Sequence, residues 1–245
     1  MKGLNDVSLL LLAAALAMGC SEPAQDQVQE QMSEAAQAGG EAVDGAVGDI
    51  QGAADHFMSN ARRALDELGR SVDDLHVQYS DAVGDAAAEW DSAQREILAA
   101  QQQVEVDIAR AGEATGESLD SAREDIADGV EMLATRVEQA RLAAVDGTDE
   151  FVTESQRRLS EIEGNIEVLR LQASQLAVDA HAEVSDDIES LRMEAADVAQ
   201  RLDAMAAASA EQMAETREDV TQAIASLSGS VQRHGLELRG DATGQ

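Results

Sequence analysis

Apolar and small residues return every three or four positions through most of the chain. Leu65, Leu68, Val72, Leu75, Tyr79, Ala82, Ala86, Trp90, Ala93 and Ile97 form one run, and a longer one extends from Val152 through Leu159, Ile166, Ala173, Ile188 and Leu202 to Met213. No stretch of comparable length alternates with period two, so strands are not expected and the pattern predicts an all-α fold. Extra steps of four, as at Ala86 to Trp90, hold the mean step near 3.6, which relaxes the left-handed supercoil that a strict heptad imposes. Long, nearly straight helices are expected, as an antiparallel coiled-coil hairpin or an elongated helical bundle.

The strongest break is Val145-Asp146-Gly147-Thr148-Asp149-Glu150. Gly147 suits the left-handed residue after a helix, Thr148 suits the cap of the next, and two acids suit its first turn. A turn near 146–149 would pair helices of about 90 and about 80 residues, each more than about 100 Å long at 1.5 Å per residue. A weaker break at Ala111-Gly112 to Gly116-Ser118 would divide the first arm. The helical body is expected over 53–230, with a frayed tail at 231–245 beyond Ser228-Gly229. Ahead of it, 32–52 reads as a flexible segment, because Gly39, Gly40, Gly45, Gly48 and Gly52 each cost a helix about 1 kcal/mol against Ala.

Composition narrows the function. Ala supplies 46 residues and the aromatics are four, Phe57, Tyr79, Trp90 and Phe151, all read as packing residues on the apolar seam. Such a seam is thin, so length or self-association through the helices must supply stability. The formal net charge of −32 repels nucleic acid and disfavours adsorption to anionic lipid. His56, His76, His181 and His234 form no i,i+3 or i,i+4 pair, so no metal site is expected. Carboxylates such as Asp73-Asp74 and Asp186-Asp187 would be solvated, whereas acid-base catalysis needs one in an apolar pocket. Neither an enzyme nor a cofactor is expected.

The amino-terminal residues carry the one defined chemical signal. Lys2 precedes an apolar run from Val7 to Met18, then Gly19 and the single cysteine, Cys20. About 12 apolar residues are too few for a membrane span, which needs roughly 20, and suit a signal peptide over 1–19. Leu16-Ala17-Met18-Gly19-Cys20 resembles the lipobox of bacterial lipoproteins. That resemblance implies cleavage between Gly19 and Cys20, lipidation of the Cys20 thiol, acylation of the new amino terminus and a polar tether over 20–31. Two or three acyl chains hold a membrane firmly where one does not. Ser21, rather than the Asp that marks inner-membrane retention in enterobacterial lipoproteins, implies an outer-membrane anchor facing the periplasm.

Other resemblances are of pattern alone. Residues 50–230 are weakly similar to the amphipathic helical repeats of the apolipoprotein A and E group, which use Pro between repeats and Lys beside the apolar face; Pro23 is the only Pro here and it lies outside the body. Late-embryogenesis-abundant hydrophilins share the Ala-rich composition but are rich in Lys. Murein lipoprotein joins peptidoglycan through a C-terminal Lys, whereas the only Lys here is Lys2, in the leader, so no such covalent link is expected. The expected protein is a membrane-anchored envelope lipoprotein with an acidic helical body serving as spacer or interaction scaffold. The alternative is a stress-protective or lipid-associating amphipathic helix protein.

Overall fold

A computed structural model of the chain describes residues 52–79, 85–176, 178–206 and 210–241. The expectations for the signal peptide, Gly19, Cys20, the tether and the Gly-rich segment up to residue 51 lie outside the described residues. All described elements are α-helices: α1 (52–78), α2 (Asp85–Ala111), α3 (Glu117–Ala143), α4 (Thr148–Ala173), α5 (Val178–Ala206) and α6 (Ala210–Asp241). From α2 to α6 they run 26 to 32 residues, or about 39 to 48 Å. The two arms of more than about 100 Å are therefore each divided into three.

Both glycine-rich breaks are turns, for a backbone reason. Gly116 has φ +58° and Gly147 φ +84°, the positive region that a side chain disfavours. Thr148 was expected to cap α4. It lies instead inside the first turn, Gly147 holds the cap position without a side-chain bond, and the Phe151 amide donates to the Gly147 carbonyl.

The tail expected to fray from residue 231 continues α6 to Asp241, with Val231, Leu236 and Leu238 buried. Gly229, read as a stop, is a close-approach residue within that helix. A Cβ placed there would stand 2.8 Å from the Glu131 carbonyl oxygen of α3. Gly129 does the same for α2 against α3, where a Cβ would meet Val104 Cγ2 at 2.6 Å. The two glycines therefore let α3 lie close to both α2 and α6.

The core has two parts. The first holds Phe57, Leu75, Ile97, Val104, Ile126 and Leu133 from α1, α2 and α3; the second holds Phe151, Ile162, Leu191, Leu202, Ile224 and Leu227 from α4, α5 and α6. Within each part neighbouring helices pack side by side, and the parts join chiefly through α3 against α6. Gln139 bonds Gln222 while Arg233 bonds Glu131, so α3 and α6 run antiparallel.

A shift of 94 residues relates the two parts. It carries α1 onto α4, α2 onto α5 and α3 onto α6 without a gap, and 21 of the 94 pairs from Gly52/Asp146 to Val145/Arg239 are identical. Arg123-Glu124-Asp125 becomes Arg217-Glu218-Asp219, and Phe57 becomes Phe151. The contacts repeat as well: Arg123 lies over the Phe57 ring at 4.9 Å and Arg217 over the Phe151 ring at 4.5 Å. Leu142 of α3 packs in the second core while its equivalent, Leu236 of α6, packs in the first. The described body is a tandem pair of three-helix repeats that exchange leucines across an approximate two-fold, a relation the helical periodicity alone did not disclose.

Candidate functional site

Cys20 and Gly19, the residues to which the sequence assigns chemistry, lie outside the described residues. Within the body the aromatics do serve as packing residues: Phe57, Trp90 and Phe151 are buried and Tyr79 packs against the first core. Among the described residues no three His, Cys, Asp or Glu side chains are grouped so as to hold a metal ion. The regions with chemical character are the two places where the end of one repeat meets the start of the other, and a buried ion cluster beside α4.

At the first of these places, Tyr79 stacks on Trp90 with ring centroids 4.7 Å apart and 6° between planes. Its hydroxyl donates to the Ala140 carbonyl at 3.0 Å. Burial, reinforced by Glu89 and Asp146, pushes the phenol up to about 12, so it stays a proton donor. Beside it, Arg217 covers Phe151 and donates to the carbonyls of Leu142 and Val145. Arg217 thereby closes the end of α3. The result is an aromatic plug with a guanidinium lid.

The equivalent place at the other end is an open cleft of about 450 Å³. The 94-residue shift puts Ala173 where Tyr79 stands, Val184 for Trp90 and His234 for Ala140. Phe57, Leu176, Val184 and Leu238 give the cleft its apolar lining, and Asp120, Arg123, Glu124, Asp187, Arg233, His234 and Glu237 its charged one. His234 Nδ1 lies 3.4 Å from Glu237 Oε2, and Arg233 joins Asp128 at 2.6 Å, Glu237 at 3.0 Å and Glu131 at 3.3 Å. The hydrogen bond to Glu237 raises His234 above the usual imidazole value despite its burial. Burial pushes Glu237 up, but the hydrogen bonds from His234 and Arg233 outweigh it and hold the carboxyl below its usual value.

The ion cluster centres on Glu138, a buried carboxylate on α3. Arg158 of α4 grips it with two bonds, Nε at 2.7 Å and Nη2 at 2.5 Å, and Arg141 reaches it at 3.4 Å. Burial and the neighbouring Arg158 lower the Arg141 pKa. For Arg158 burial acts in the same downward direction, but its bonds to Glu138 win and the net shift is up. Arg157 binds Glu154 and Glu161, so three guanidiniums face three carboxylates. That balance is a structural clamp between α3 and α4 and leaves no surplus charge for an anion. Helical periodicity gave no signal for it, since Glu138 occupies a core position.

Comparisons with protein-family models, with curated proteins and with solved structures find no match to this chain.

Proposed function

We propose that the protein is a lipid-anchored protein of the bacterial cell envelope whose acidic helical body serves as a docking scaffold for other proteins. The observation that carries this reading is Leu16-Ala17-Met18-Gly19-Cys20 directly after an apolar run of about 12 residues, the layout of a lipoprotein signal. Cys20 would bear the lipid, 20–31 would be the tether, and Ser21 favours the outer membrane, with the body in the periplasm. No described helix is long and apolar enough to cross a membrane, and in this reading the acyl chains supply the attachment.

The body refines the role. Its longest described helix, α6, measures about 48 Å, so scaffold describes it better than a spacer of more than about 100 Å. Its apolar seams face one another in two cores, and the exposed large apolar residues among the described ones are Val77, Leu98, Val106, Met132, Val168, Leu171 and Met193, spread over five helices with Val168 and Leu171 alone three residues apart on one of them. This favours a folded docking body over an amphipathic helix that lies on lipid or folds only on drying. Chemistry catalysed by the chain is not part of the reading.

Two experiments test it. Cells expressing the full chain should incorporate radiolabelled palmitate into it, and Cys20→Ala should abolish the label; label retained by the variant would sink the anchor. The Cys20→Ala chain should be helical in dilute buffer and melt cooperatively, whereas a disordered body that gains helix only with vesicles or on drying would favour the alternative.

A further inference from the structure

The repeats diverge most where one presents a plug and the other a cleft. In the first repeat Tyr79 and Trp90 form two stacked rings, and Tyr79 bonds the Ala140 carbonyl two residues before the Leu142 carbonyl held by Arg217, the residue that covers Phe151. In the second, Ala173 and Val184 take those positions: Ala173 is buried in the second core, and Val184 lines a cleft of about 450 Å³ together with Arg123 and Phe57. His234 stands where the first repeat has Ala140, so the space acquires a titratable group. A volume of this size lies within the range of small-molecule sites, as does a lining that joins apolar walls to a few convergent polar groups.

The charge in the cleft selects the sign of an occupant. Arg123 is held over the Phe57 ring, and Arg233 is tied to Asp128, Glu131 and Glu237. Asp187 faces His234, whereas the carboxylates of Asp120 and Glu124, which line the same cleft, take no side-chain hydrogen bond or ion pair among the described residues. We propose that this cleft binds a small molecule made of a planar aromatic ring and a protonated amine. The ring takes the place that the Tyr79–Trp90 stack holds in the other repeat, and the ammonium faces Asp120 and Glu124. This site is independent of the lipid anchor and would survive its loss.

The test is isothermal titration calorimetry of the full chain with tryptamine, indole and indole-3-acetate as probes. Tryptamine should bind saturably at one site and about tenfold or more tighter than indole-3-acetate, the factor carried by a single favourable charge contact. Ala173→Tyr with Val184→Trp copies the plug of the first repeat into the second and should abolish tryptamine binding. Because that variant risks misfolding, Asp120→Asn with Glu124→Gln supplies a second reading on exposed positions: tryptamine should weaken about tenfold and approach indole. No saturable binding, equal binding of tryptamine and indole-3-acetate, or tryptamine binding unmoved by the carboxylate changes would each overturn the proposal.

Discussion

The first repeat, α1 to α3, and the second, α4 to α6, share a frame and differ in what they hang on it. Along α3 and α6 the paired positions are Ile126/Val220, Val130/Ile224, Leu133/Leu227, Val137/Val231 and Leu142/Leu236, all buried or nearly so. Volume is almost conserved there, because the two helices pack on each other as well as on their own repeats and a change in one is felt by both. The repeats' own cores keep their pairs as well, with Phe57/Phe151, Leu65/Leu159, Leu75/Leu169 and Val104/Val198 identical and buried, and the divergence falls at single positions: Trp90 against Val184, Glu138 against Gln232, Arg158 against Ala64. Repetition thus preserved the joint and the two cores, while a few positions, Trp90 and Glu138 among the buried ones, acquired separate chemistry.

The largest expected effect tests whether the joint makes one cooperative body of two repeats. Leu133→Ala and Leu227→Ala each remove a side chain that is 1 % exposed, and each should cost about 2–5 kcal/mol. Since α3 and α6 also exchange Leu142 and Leu236, urea unfolding of either variant should remain a single transition shifted by a similar amount. Two separated transitions, with only the altered repeat weakened, would break the picture of interlocked repeats.

The clamp at Glu138 comes next. Arg158→Ala leaves a carboxylate that is 2 % exposed with only the longer Arg141 contact, and should cost about 3 kcal/mol. Adding Glu138→Gln gives both positions the residues found in the other repeat, Gln232 and Ala64. The double variant should recover more than half of that loss, since the unpaired charge is gone; a double-mutant cycle with no coupling would show that the clamp contributes nothing beyond packing.

A smaller contrast separates two glycines of similar appearance in the sequence. Gly229→Ala presses a methyl group toward the Glu131 backbone carbonyl, and should cost about 2 kcal/mol. Gly129→Ala meets the Val104 side chain and no backbone; Val104 is buried and stiff at χ1 but can shift with its neighbours where a helix carbonyl cannot, and the helix gain of about 1 kcal/mol from Ala over Gly is common to both variants, so its net cost should be smaller, about 1 kcal/mol. Equal thermal melts for the two variants would mean that α3 and α6 are free to separate.

These glycines also show how far the sequence could be read. Spacing alone located the apolar faces, since Leu65, Val72, Leu159, Ile166, Leu191 and Leu202 are all buried, and the glycines that require positive φ located the turns at 112–116 and 144–147. The breaks after α1 and α4 went unseen because the three-and-four rhythm runs past Tyr79 and Ala173 without a phase change, and Leu176 still packs against the second core. Gly229 was misread because a glycine that admits a neighbouring helix has the same one-letter signature as one that ends its own. The cleft was illegible for another reason: Phe57, His234 and Val184 are far apart in sequence, and only the 94-residue relation brings out what their equivalents do.

The smallest effect concerns pH and belongs to one repeat only, because the first has Ala140 where the second has His234. The groups facing His234 are Glu237, Asp187 and Arg233; the hydrogen bond to Glu237 is the dominant influence, and the net shift is upward. A folded pKa above the unfolded one, near 6.5, means that the charged imidazole stabilises the fold fully below about pH 6.5 and loses that contribution as pH rises through the folded value. Glu237 is shifted downward, so its contribution is present above its unfolded pKa of about 4.3 and fades as pH falls through the folded value. The pair is therefore at full strength between about pH 4.5 and 6.5, and the melting temperature should fall by about 1 °C between about pH 6 and pH 8. His234→Ala should remove that slope while leaving the Tyr79–Trp90 end unchanged, as read by Trp90 fluorescence; an identical slope in the variant would place the pH dependence elsewhere in the acidic surface.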